Sequence, residues 1–287
     1  MSRVRTFSFA ALLCLAGCNA SSKAMDVAVS PVTVKPGDTV RVEIHGVPAR
    51  KLKCRFEGKD VPFFSLSLDK KKTRALIGLN AEWKPGKYEI EIAEKKWFFR
   101  DTERTVSIAV KNKDFPKENL KLAHNKTQLA QDPKQGEAKA KIEKILTKRS
   151  SDQKWQGKFV WPVKGKVTTV YGVRRTVNKT MAWPYHKGID IYAREGTEVR
   201  APNAGRVVLA EPFPVQGRMI VLDHGQGVMT AYLHLSSIDI EEGKDVAKGQ
   251  LIGKVGADGF ATGPHLHWGL YVHGEPVDPK KWMETEF

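Results

Sequence analysis

A short segment near the C-terminus places two histidines one residue apart, in the run Gly263-Pro264-His265-Leu266-His267-Trp268. Its apolar and aromatic neighbours favour a β-strand, in which alternate side chains lie on the same face of the sheet. We therefore expect His265 and His267 to point the same way, with Cα atoms about 7 Å apart. One imidazole can then bind a metal ion while the other reaches a water molecule on that ion. The rest of such a site must come from elsewhere in the chain.

Candidate partners lie about 80 residues earlier, in the segment His186-Lys187-Gly188-Ile189-Asp190. A regular strand would hold the Cα atoms of His186 and Asp190 about 13 Å apart, whereas two ligands of one zinc ion need donor atoms about 3–4 Å apart. The segment must therefore fold back, and we expect Gly188 to supply the backbone freedom. Two imidazoles and a carboxylate, with a further histidine in reach, are the donor set of a catalytic zinc site with an open coordination position.

The C-terminal region, residues 158–287, predicts a mainly antiparallel β-sheet domain, because short apolar runs alternate with glycine-rich turns and no long amphipathic helix is evident. One run, at residues 228–235, ends with His234 between two leucines. A two-residue period places His234 on the same face as Tyr232. Taken alone, a histidine in such apolar company is typical of a core residue.

Three patterns occur in a fixed order: H-x-x-x-D at residues 186–190, Tyr-x-His-Leu at residues 232–235 and H-x-H at residues 265–267. Together they resemble the M23 (lysostaphin/LytM-type) metallopeptidases. Further matches are an aromatic-Gly-x-Arg run at 171–174, a Gly-Thr pair at 196–197, the run Thr-Gly-Pro-His-Leu-His at 262–267, which matches the S/T-G-P-H-L-H part of the family signature, and Val-Asp-Pro at 277–279. The resemblance covers about residues 158–283, with no ligand missing.

The resemblance implies a role for each of these residues. It assigns one zinc ion per domain to His186, Asp190 and His267, and makes His234 and His265 the catalytic pair. A zinc ion in such a set acidifies a bound water and polarises the scissile carbonyl. A nearby histidine can accept the proton of that water or donate a hydrogen bond to the developing oxyanion. The sequence does not distinguish these two roles.

Residues 173–185 predict a loop along one wall of the cleft. Its Arg174, Arg175 and Lys179 are candidate contacts for carboxylates of a peptide stem, with a solvent-exposed loop as the alternative. Tyr232 is a second candidate substrate contact because it shares the predicted face of the catalytic histidine. Two other histidines, His224 and His273, match none of the family positions, and we predict both to be turn residues at the surface.

The resemblance implies a zinc endopeptidase that cleaves peptide cross-links or stems of bacterial peptidoglycan. In a Gram-negative envelope the expected bond is D-alanyl–diaminopimelate, and a pentaglycine bridge is the family's other well-known target. The main alternative is a catalytically silent scaffold that activates cell-wall amidases, which would not need an intact ligand set. A two-histidine, one-carboxylate iron oxygenase is suggested by ligand type alone and does not fit the H-x-H spacing.

The N-terminus has the features of an export signal. Arg3 and Arg5 precede a mostly apolar run at positions 7–16, which is too short to span a bilayer as a permanent helix. The run Leu15-Ala16-Gly17-Cys18 resembles the bacterial lipobox, which implies cleavage before Cys18 and its lipidation; an ordinary signal with an incidental cysteine is the alternative. We therefore predict a lipoprotein signal peptide (1–18), a tether (19–26) and a periplasm-facing membrane anchor. In enteric bacteria, an Asp directly after the lipidated Cys retains a lipoprotein in the inner membrane. Asn19 occupies this position, which favours the outer membrane.

The remaining sequence predicts a second domain and a linker, which the total of 287 residues permits. Residues 27–111 contain about seven short alternating runs separated by turn signals, typical of an immunoglobulin-like β-sandwich. Cys54 falls within one of these runs, where we expect a buried thiol, and His45 ends another, at the surface. Residues 112–157 predict a polar linker that acts as a tether, with one amphipathic helix over residues 136–148.

The net charge of +16 is concentrated in the first half of the chain. Residues 158–287 hold 16 Lys and Arg against 14 Asp and Glu, which leaves +14 for residues 1–157. A basic surface suits anionic cell-wall polymers or lipid headgroups. Because the sequence contains no recognisable nucleic-acid-binding motif, we predict no nucleic acid partner.

Overall fold

The computed structural model describes residues 25–66, 69, 71–96, 100–179 and 181–287, with the backbone alone for residues 181–183. Across these residues the chain forms two β-rich domains and a connector of strand and helix between them. The predicted signal peptide and lipobox, including Cys18, and most of the tether lie outside the described residues. None of the described helices is long and apolar enough to cross a membrane.

The first domain is a sandwich of two β-sheets. Its strands are β1 (Val27–Ser30), β2 (Thr33–Val34), β3 (Thr39–His45), β4 (Leu52–Phe56), β5 (Lys59–Val61), β6 (Phe64–Ser65), β7 (Lys72–Gly78), β8 (Gly86–Glu94) and β9 (Thr102–Val110). One sheet has the order β1-β3-β7-β6 and the other has the order β2-β9-β8-β4-β5. The two-sheet architecture agrees with the predicted fold class, and the immunoglobulin-like assignment stays a prediction.

Alternating side chains build the core between these sheets. In β3, Val40, Val42 and Ile44 are each 0% exposed, while the residues between them face outward. Cys54 in β4 is a buried, free thiol, as predicted, and burial raises its pKa to about 12. His45, at the end of β3, is exposed, also as predicted.

The connector is structured throughout most of its length. It contains β10 (Lys117–Leu120), α1 (His124–Gln128) and α2 (Gln135–Leu146). The predicted helix at residues 136–148 therefore exists, and its residues Ile142, Ile145 and Leu146 are buried against the second domain. Ala138 is buried on the same face, whereas Ala140 is exposed.

The connector is not a free tether. Strand β10 pairs in parallel with a strand of the second domain, with Lys117 opposite Arg174 and Leu120 opposite Val177. The apolar face of α2 packs against a core cluster of that domain that includes Met219. The polar composition of residues 112–157 concealed these contacts because few apolar side chains are enough to anchor a short helix and strand.

The second domain is built on one large, mainly antiparallel sheet. Its elements are β11 (Lys166–Thr169), β12 (Arg174–Val177), β13 (Met181–Trp183), β14 (Gly188–Tyr192), β15 (Glu198–Arg200), β16 (Gly205–Phe213), β17 (Gly217–Gly225), β18 (Val228–Ile238), β19 (Asp245–Val246), β20 (Leu251–Val255), β21 (Leu266–Val272), β22 (Glu275–Val277) and α3 (Pro279–Glu284). The main path runs β11-β14-β21-β18-β17-β16-β19. This antiparallel β architecture agrees with the predicted fold class. Strands β12 and β13 form a hairpin beside it, and β10 extends that hairpin to three strands.

The two domains pack directly against each other. Arg74 of the sandwich is 3% exposed, and its guanidinium donates hydrogen bonds to Gln153 at 2.9 Å and Gln226 at 2.6 Å. The guanidinium also lies over the ring of Trp155, 4.9 Å from its centroid. Burial lowers the pKa of Arg74 to about 10. The two hydrogen bonds from Nη2 and the contact with Trp155 hold the sandwich in one orientation on the second domain.

Of two histidines that were predicted at the surface, His224 is completely buried and His273 is half-buried. His224 is 0% exposed, with its ring bonded to the carbonyl of Ala204 at 2.7 Å and to the hydroxyl of Thr230 at 2.8 Å. His273 stacks on Phe64 of the first domain, with ring centroids 6.2 Å apart. The predicted turn at His273 is present, whereas His224 lies within β17, before the turn at residues 226–227. The first domain covers His273, and neighbouring strands and loops of the second domain cover His224.

The burial of His224 predicts a loss of stability in acid. Burial lowers its pKa to about 4, whereas an unfolded histidine has a pKa of about 6.5. Between these values the unfolded chain binds a proton that the folded chain does not, so stability falls as the pH falls. We expect the free energy of unfolding to drop by about 2 kcal/mol more in the native chain than in His224→Gln between about pH 7.5 and pH 5.

Urea titrations monitored by tryptophan fluorescence at the two pH values measure this difference. The exposed His45 provides a control, since His45→Gln should keep the full acid sensitivity. Equal pH dependence in His224→Gln and the native chain would contradict the prediction.

Candidate metal centre

Three donor atoms converge between β14 and β21. The strands are antiparallel, and Asp190 lies directly opposite His267 in their register, so the two side chains share a face. His186 lies two residues before β14 and turns its ring back toward Asp190. The distances are 2.9 Å from His186 Nε2 to Asp190 Oδ1, 2.9 Å from His186 Nε2 to His267 Nδ1, and 2.9 Å from His267 Nδ1 to Asp190 Oδ1. The structure therefore brings together the three side chains predicted as metal ligands.

Gly188 contributes in a different way from the one predicted. It lies inside β14, and it is absent from the residues with a left-handed backbone. A Cβ atom at this position would lie 2.4 Å from the carbonyl oxygen of Trp268 and 2.8 Å from Nε2 of His267. Glycine is thus required for close approach of the two strands, and the fold-back toward His186 is made before the strand begins.

The chemistry of the donors fits a bound cation. His186 Nδ1 lies 3.0 Å from the carbonyl oxygen of Val170, which can only accept, so this nitrogen carries the hydrogen. A neutral His186 ring then directs the lone pair of Nε2 at the carboxylate of Asp190. His267 Nδ1 holds at most one hydrogen, so the three short contacts cannot all be hydrogen bonds. A metal ion would satisfy all three lone pairs, and an N–H bonded to a carbonyl is usual on the far side of a metal-binding histidine.

The second oxygen of Asp190 is also engaged. Arg175, on β12, donates from Nη2 to Asp190 Oδ2 at 2.6 Å, and both side chains are only 8% exposed. Burial alone would raise the pKa of Asp190, but its contacts with His186 and His267 outweigh that effect and hold the pKa well below the usual range. The carboxylate is therefore a charged group with a single oxygen, Oδ1, directed at the donor cluster.

Two more imidazoles border the same space. The rings of His234 and His265 lie 4.9 Å apart between centroids, and His265 Nε2 is 3.9 Å from Asp190 Oδ1. Each ring donates its Nδ1–H to a backbone carbonyl, His234 to Asp258 at 2.8 Å and His265 to Gly263 at 2.8 Å. Both rings can therefore present Nε2 to the cleft. Burial, and then the charges of His265 and His267, lower the pKa of His234 to about 3, which keeps it uncharged.

His234 reaches the cleft through a break in the strand period. Its φ of 64° is left-handed, and the register of β17 with β18 shifts on either side of it, between Ile220↔Tyr232 and Arg218↔Leu235. Such an irregularity re-aims a side chain within a sheet. The prediction that His234 shares a face with Tyr232 is therefore wrong: Tyr232 packs in the core, and His234 lines the cavity.

The structure does not support Arg174 or Tyr232 as substrate contacts. Tyr232 is 0% exposed, and its hydroxyl bonds to Thr230 at 2.7 Å, so it is a core residue. Arg174 donates to the carbonyl of Pro184 at 2.7 Å and to that of Ala81, in the first domain, at 3.0 Å. Its neighbour Arg175 is the arginine that faces the cleft, because alternate residues of β12 face opposite sides.

A cavity of about 900 Å³ lies over these residues, large enough for a short stretch of peptide. All five predicted histidine and aspartate side chains line it. Its opposite wall comes from the connector, through Glu118 of β10 and through Lys139, Ile142 and Glu143 of α2. The sequence did not indicate this wall, because lysine and glutamate in a polar stretch are also typical of a solvent-exposed helix.

Gly188 offers a test of how the strand pairing positions His267. We expect Gly188→Ala to weaken zinc binding by at least about tenfold, since the added Cβ must displace a ligand or the strand that carries it. Gly263→Ala is the matched control, because a Cβ at Gly263 meets nothing within 4 Å. Competition with a chromophoric chelator measures both affinities, and equal affinities would contradict the role given to Gly188.

Comparisons with known proteins agree with this geometry. Residues 184–279 match Peptidase family M23. The chain is 39% identical over 118 residues to the peptidoglycan DD-endopeptidase ShyA of Vibrio cholerae, and this match covers 41% of the chain and 27% of that relative. It is 35% identical over 128 residues to the murein hydrolase activator EnvC of Escherichia coli, covering 45% of the chain and 29% of that relative. The chain thus spans less than a third of the length of these relatives.

A crystal structure of a candidate M23 peptidase from Pseudomonas aeruginosa resembles both domains. The two structures superpose with a TM-score of 0.63 and 25% sequence identity, over 88% of this chain and 95% of the other. The match therefore extends beyond the cleft to the sandwich and the connector. From the family match and the shared fold, we conclude that the second domain of this chain is a peptidase family M23 domain.

Proposed function

We propose that this protein is a zinc endopeptidase that hydrolyses peptide cross-links or stems of bacterial peptidoglycan. The observation that carries the proposal is the convergence of His186, Asp190 and His267 in one cleft with a second pair of imidazoles. Zinc fits the donor set of two nitrogens and one carboxylate oxygen. The similarity to a peptidoglycan DD-endopeptidase supports the substrate class.

The residues of the chain would divide the work as follows. His186, Asp190 and His267 hold the zinc ion, which when bound supplies a Lewis acid that polarises the scissile carbonyl and acidifies water. His234, kept uncharged by burial, accepts a proton from the attacking water at Nε2. His265 lies next to the metal ligands. It would donate a hydrogen bond to the substrate oxygen on which negative charge develops. The cavity walls exclude bulk water and align the peptide.

A second candidate function is activation of a cell-wall amidase without hydrolysis by this chain. It is supported by the similarity to the murein hydrolase activator EnvC. A scaffold of this kind needs neither a buried carboxylate between two imidazoles nor an additional imidazole pair. The intact donor set therefore favours the endopeptidase.

Digestion of purified peptidoglycan sacculi tests the proposal. We expect the zinc-loaded chain to release muropeptides with new amino and carboxyl ends, identified by mass, and the masses also name the bond. His267→Ala should lose both zinc and activity, whereas His234→Ala should keep stoichiometric zinc and lose at least about 100-fold in rate. Intact sacculi with bound zinc would contradict the endopeptidase, and an amidase added to the same reaction would then test the activator function.

We also propose that the protein is a lipoprotein of the cell envelope, anchored through Cys18. The basic residues Arg3 and Arg5, the short apolar run and the segment Leu15-Ala16-Gly17-Cys18 support this location. Metabolic labelling with a palmitate analogue should label the native chain in cells. The label should be absent in Cys18→Ser and unchanged in Cys54→Ser, and labelling of Cys18→Ser would rule out this anchor.

A further inference from the structure

We propose that the connector between the domains is part of the catalytic apparatus, with Glu118 and Arg175 positioning the metal ligand Asp190 and Lys126 positioning the imidazole of His234. All of these positioning residues precede the segment that matches family M23, which begins at residue 184. The proposal rests on the proposed function for the meaning of the site. Its first measurement uses metal alone and does not depend on peptidoglycan hydrolysis.

The first contact chain runs from Glu118 of the connector through Arg175 to the ligand Asp190. Arg175 Nη2 bonds to Asp190 Oδ2 at 2.6 Å, while Asp190 Oδ1 faces the two ligand histidines. Because the guanidinium occupies one carboxylate oxygen, Asp190 can offer only the other oxygen to a metal ion. Such outer partners orient a ligand and typically change metal affinity 10–100-fold when they are removed.

Glu118 of β10 holds that guanidinium from the other side. Its Oε2 accepts from Arg175 Nε at 3.1 Å, and the two residues are direct neighbours in the parallel pairing of β10 with β12. Arg175 thus lies between two carboxylates, one on the connector and one in the site. The planar fork of arginine suits this bridge, whereas the single ammonium of lysine does not. The orientation of Asp190 therefore depends on the position of β10.

The second contact chain runs from α1 to His234. Lys126 Nζ donates to the carbonyl of Ala257 at 3.1 Å and to that of Gly259 at 2.8 Å. The carbonyl between them, that of Asp258, accepts from His234 Nδ1 at 2.8 Å. Lys126 therefore clamps the short loop that fixes the tautomer and direction of the His234 ring. Arg218 supports the same loop from its far side, through the Asp258 carboxylate at 2.9 Å.

Apolar packing and an amide clamp fix the connector on the cleft wall. Leu122, which lies between β10 and α1, is buried with Val177 and Phe260, the latter just beyond the loop that Lys126 holds. The side-chain amide of Asn178 bonds to both the N–H and the carbonyl of Leu122, each at 3.0 Å. The two contact chains therefore start from one ordered segment.

Zinc affinity of the full-length chain in detergent tests the first contact chain. We expect Arg175→Met to raise the dissociation constant about 10–100-fold, and Glu118→Gln to raise it less. The double variant should match Arg175→Met alone, because Glu118 acts only through the guanidinium. The visible absorption of the cobalt-substituted chain should change in Arg175→Met, since the carboxylate is then free to turn. Glu137→Gln, at an exposed position of α2, is the matched control.

Lys126 gives the opposite signature. Because His234 is not a ligand, Lys126→Met should leave zinc affinity unchanged and lower kcat about tenfold on a purified cross-linked muropeptide, with KM unchanged. Lys126→Arg should restore the rate, and Lys121→Met, at an exposed connector lysine, should have no effect. In chain labelled with ¹⁵N-histidine, Lys126→Met should shift the Nδ1–H resonance of His234.

These results separate the inference from the proposed function. If the native chain binds zinc but does not cleave muropeptides, the proposed endopeptidase function is wrong. The zinc-affinity and resonance measurements still test the two contact chains in that case. Native zinc affinity and an unchanged cobalt spectrum in Arg175→Met overturn the first contact chain. An unchanged His234 resonance in Lys126→Met overturns the second. Circular dichroism of each variant identifies loss of folding, and a misfolded Arg175→Met would leave Glu118→Gln as the deciding variant.

Discussion

The pairing of β14 with β21 is the constraint on which the site depends. It places Asp190 directly opposite His267, and a slip of one residue would turn one of these side chains to the other face of the sheet. The register is protected by Gly188, whose missing side chain leaves room for the backbone of Trp268. Trp268 itself is 0% exposed in the core behind the sheet. The packing that stabilises the domain therefore also fixes the geometry of the donor atoms.

Burial of charge explains much of the remaining organisation. A carboxylate with so little exposure is costly unless it is paired and hydrogen-bonded. Asp190 meets this requirement with both oxygens, one toward the imidazoles and the other toward Arg175. Arg175 is itself buried and needs a second acceptor, which Glu118 provides. Stabilising the buried charge of Asp190 therefore requires a residue of the connector, although the connector lies outside the segment that matches the family.

Sequence patterns succeeded where local rules decide the outcome. The common orientation of His265 and His267 toward the cleft, the helix of the connector and the buried Cys54 all follow from periods of two or 3.6 residues. The sequence patterns gave wrong predictions where a β-bulge or a distant part of the chain changes the surroundings of a residue. The left-handed φ of His234 separates it from Tyr232, and burial of His224 follows from strands and turns distant in sequence. Neither feature leaves a signal in the residues that surround it.

The sequence by itself determined the types and order of the donor groups, and hence the chemistry that the cleft can support. Only the tertiary structure decided what orients those groups. Glu118 and Arg175 are 57 residues apart, and Lys126 lies more than 130 residues before the loop it holds at Gly259. Side-chain type and strand period are local properties, and they can be read from neighbouring residues. A hydrogen bond between distant segments depends on sheet register and domain packing, which are set by the chain as a whole.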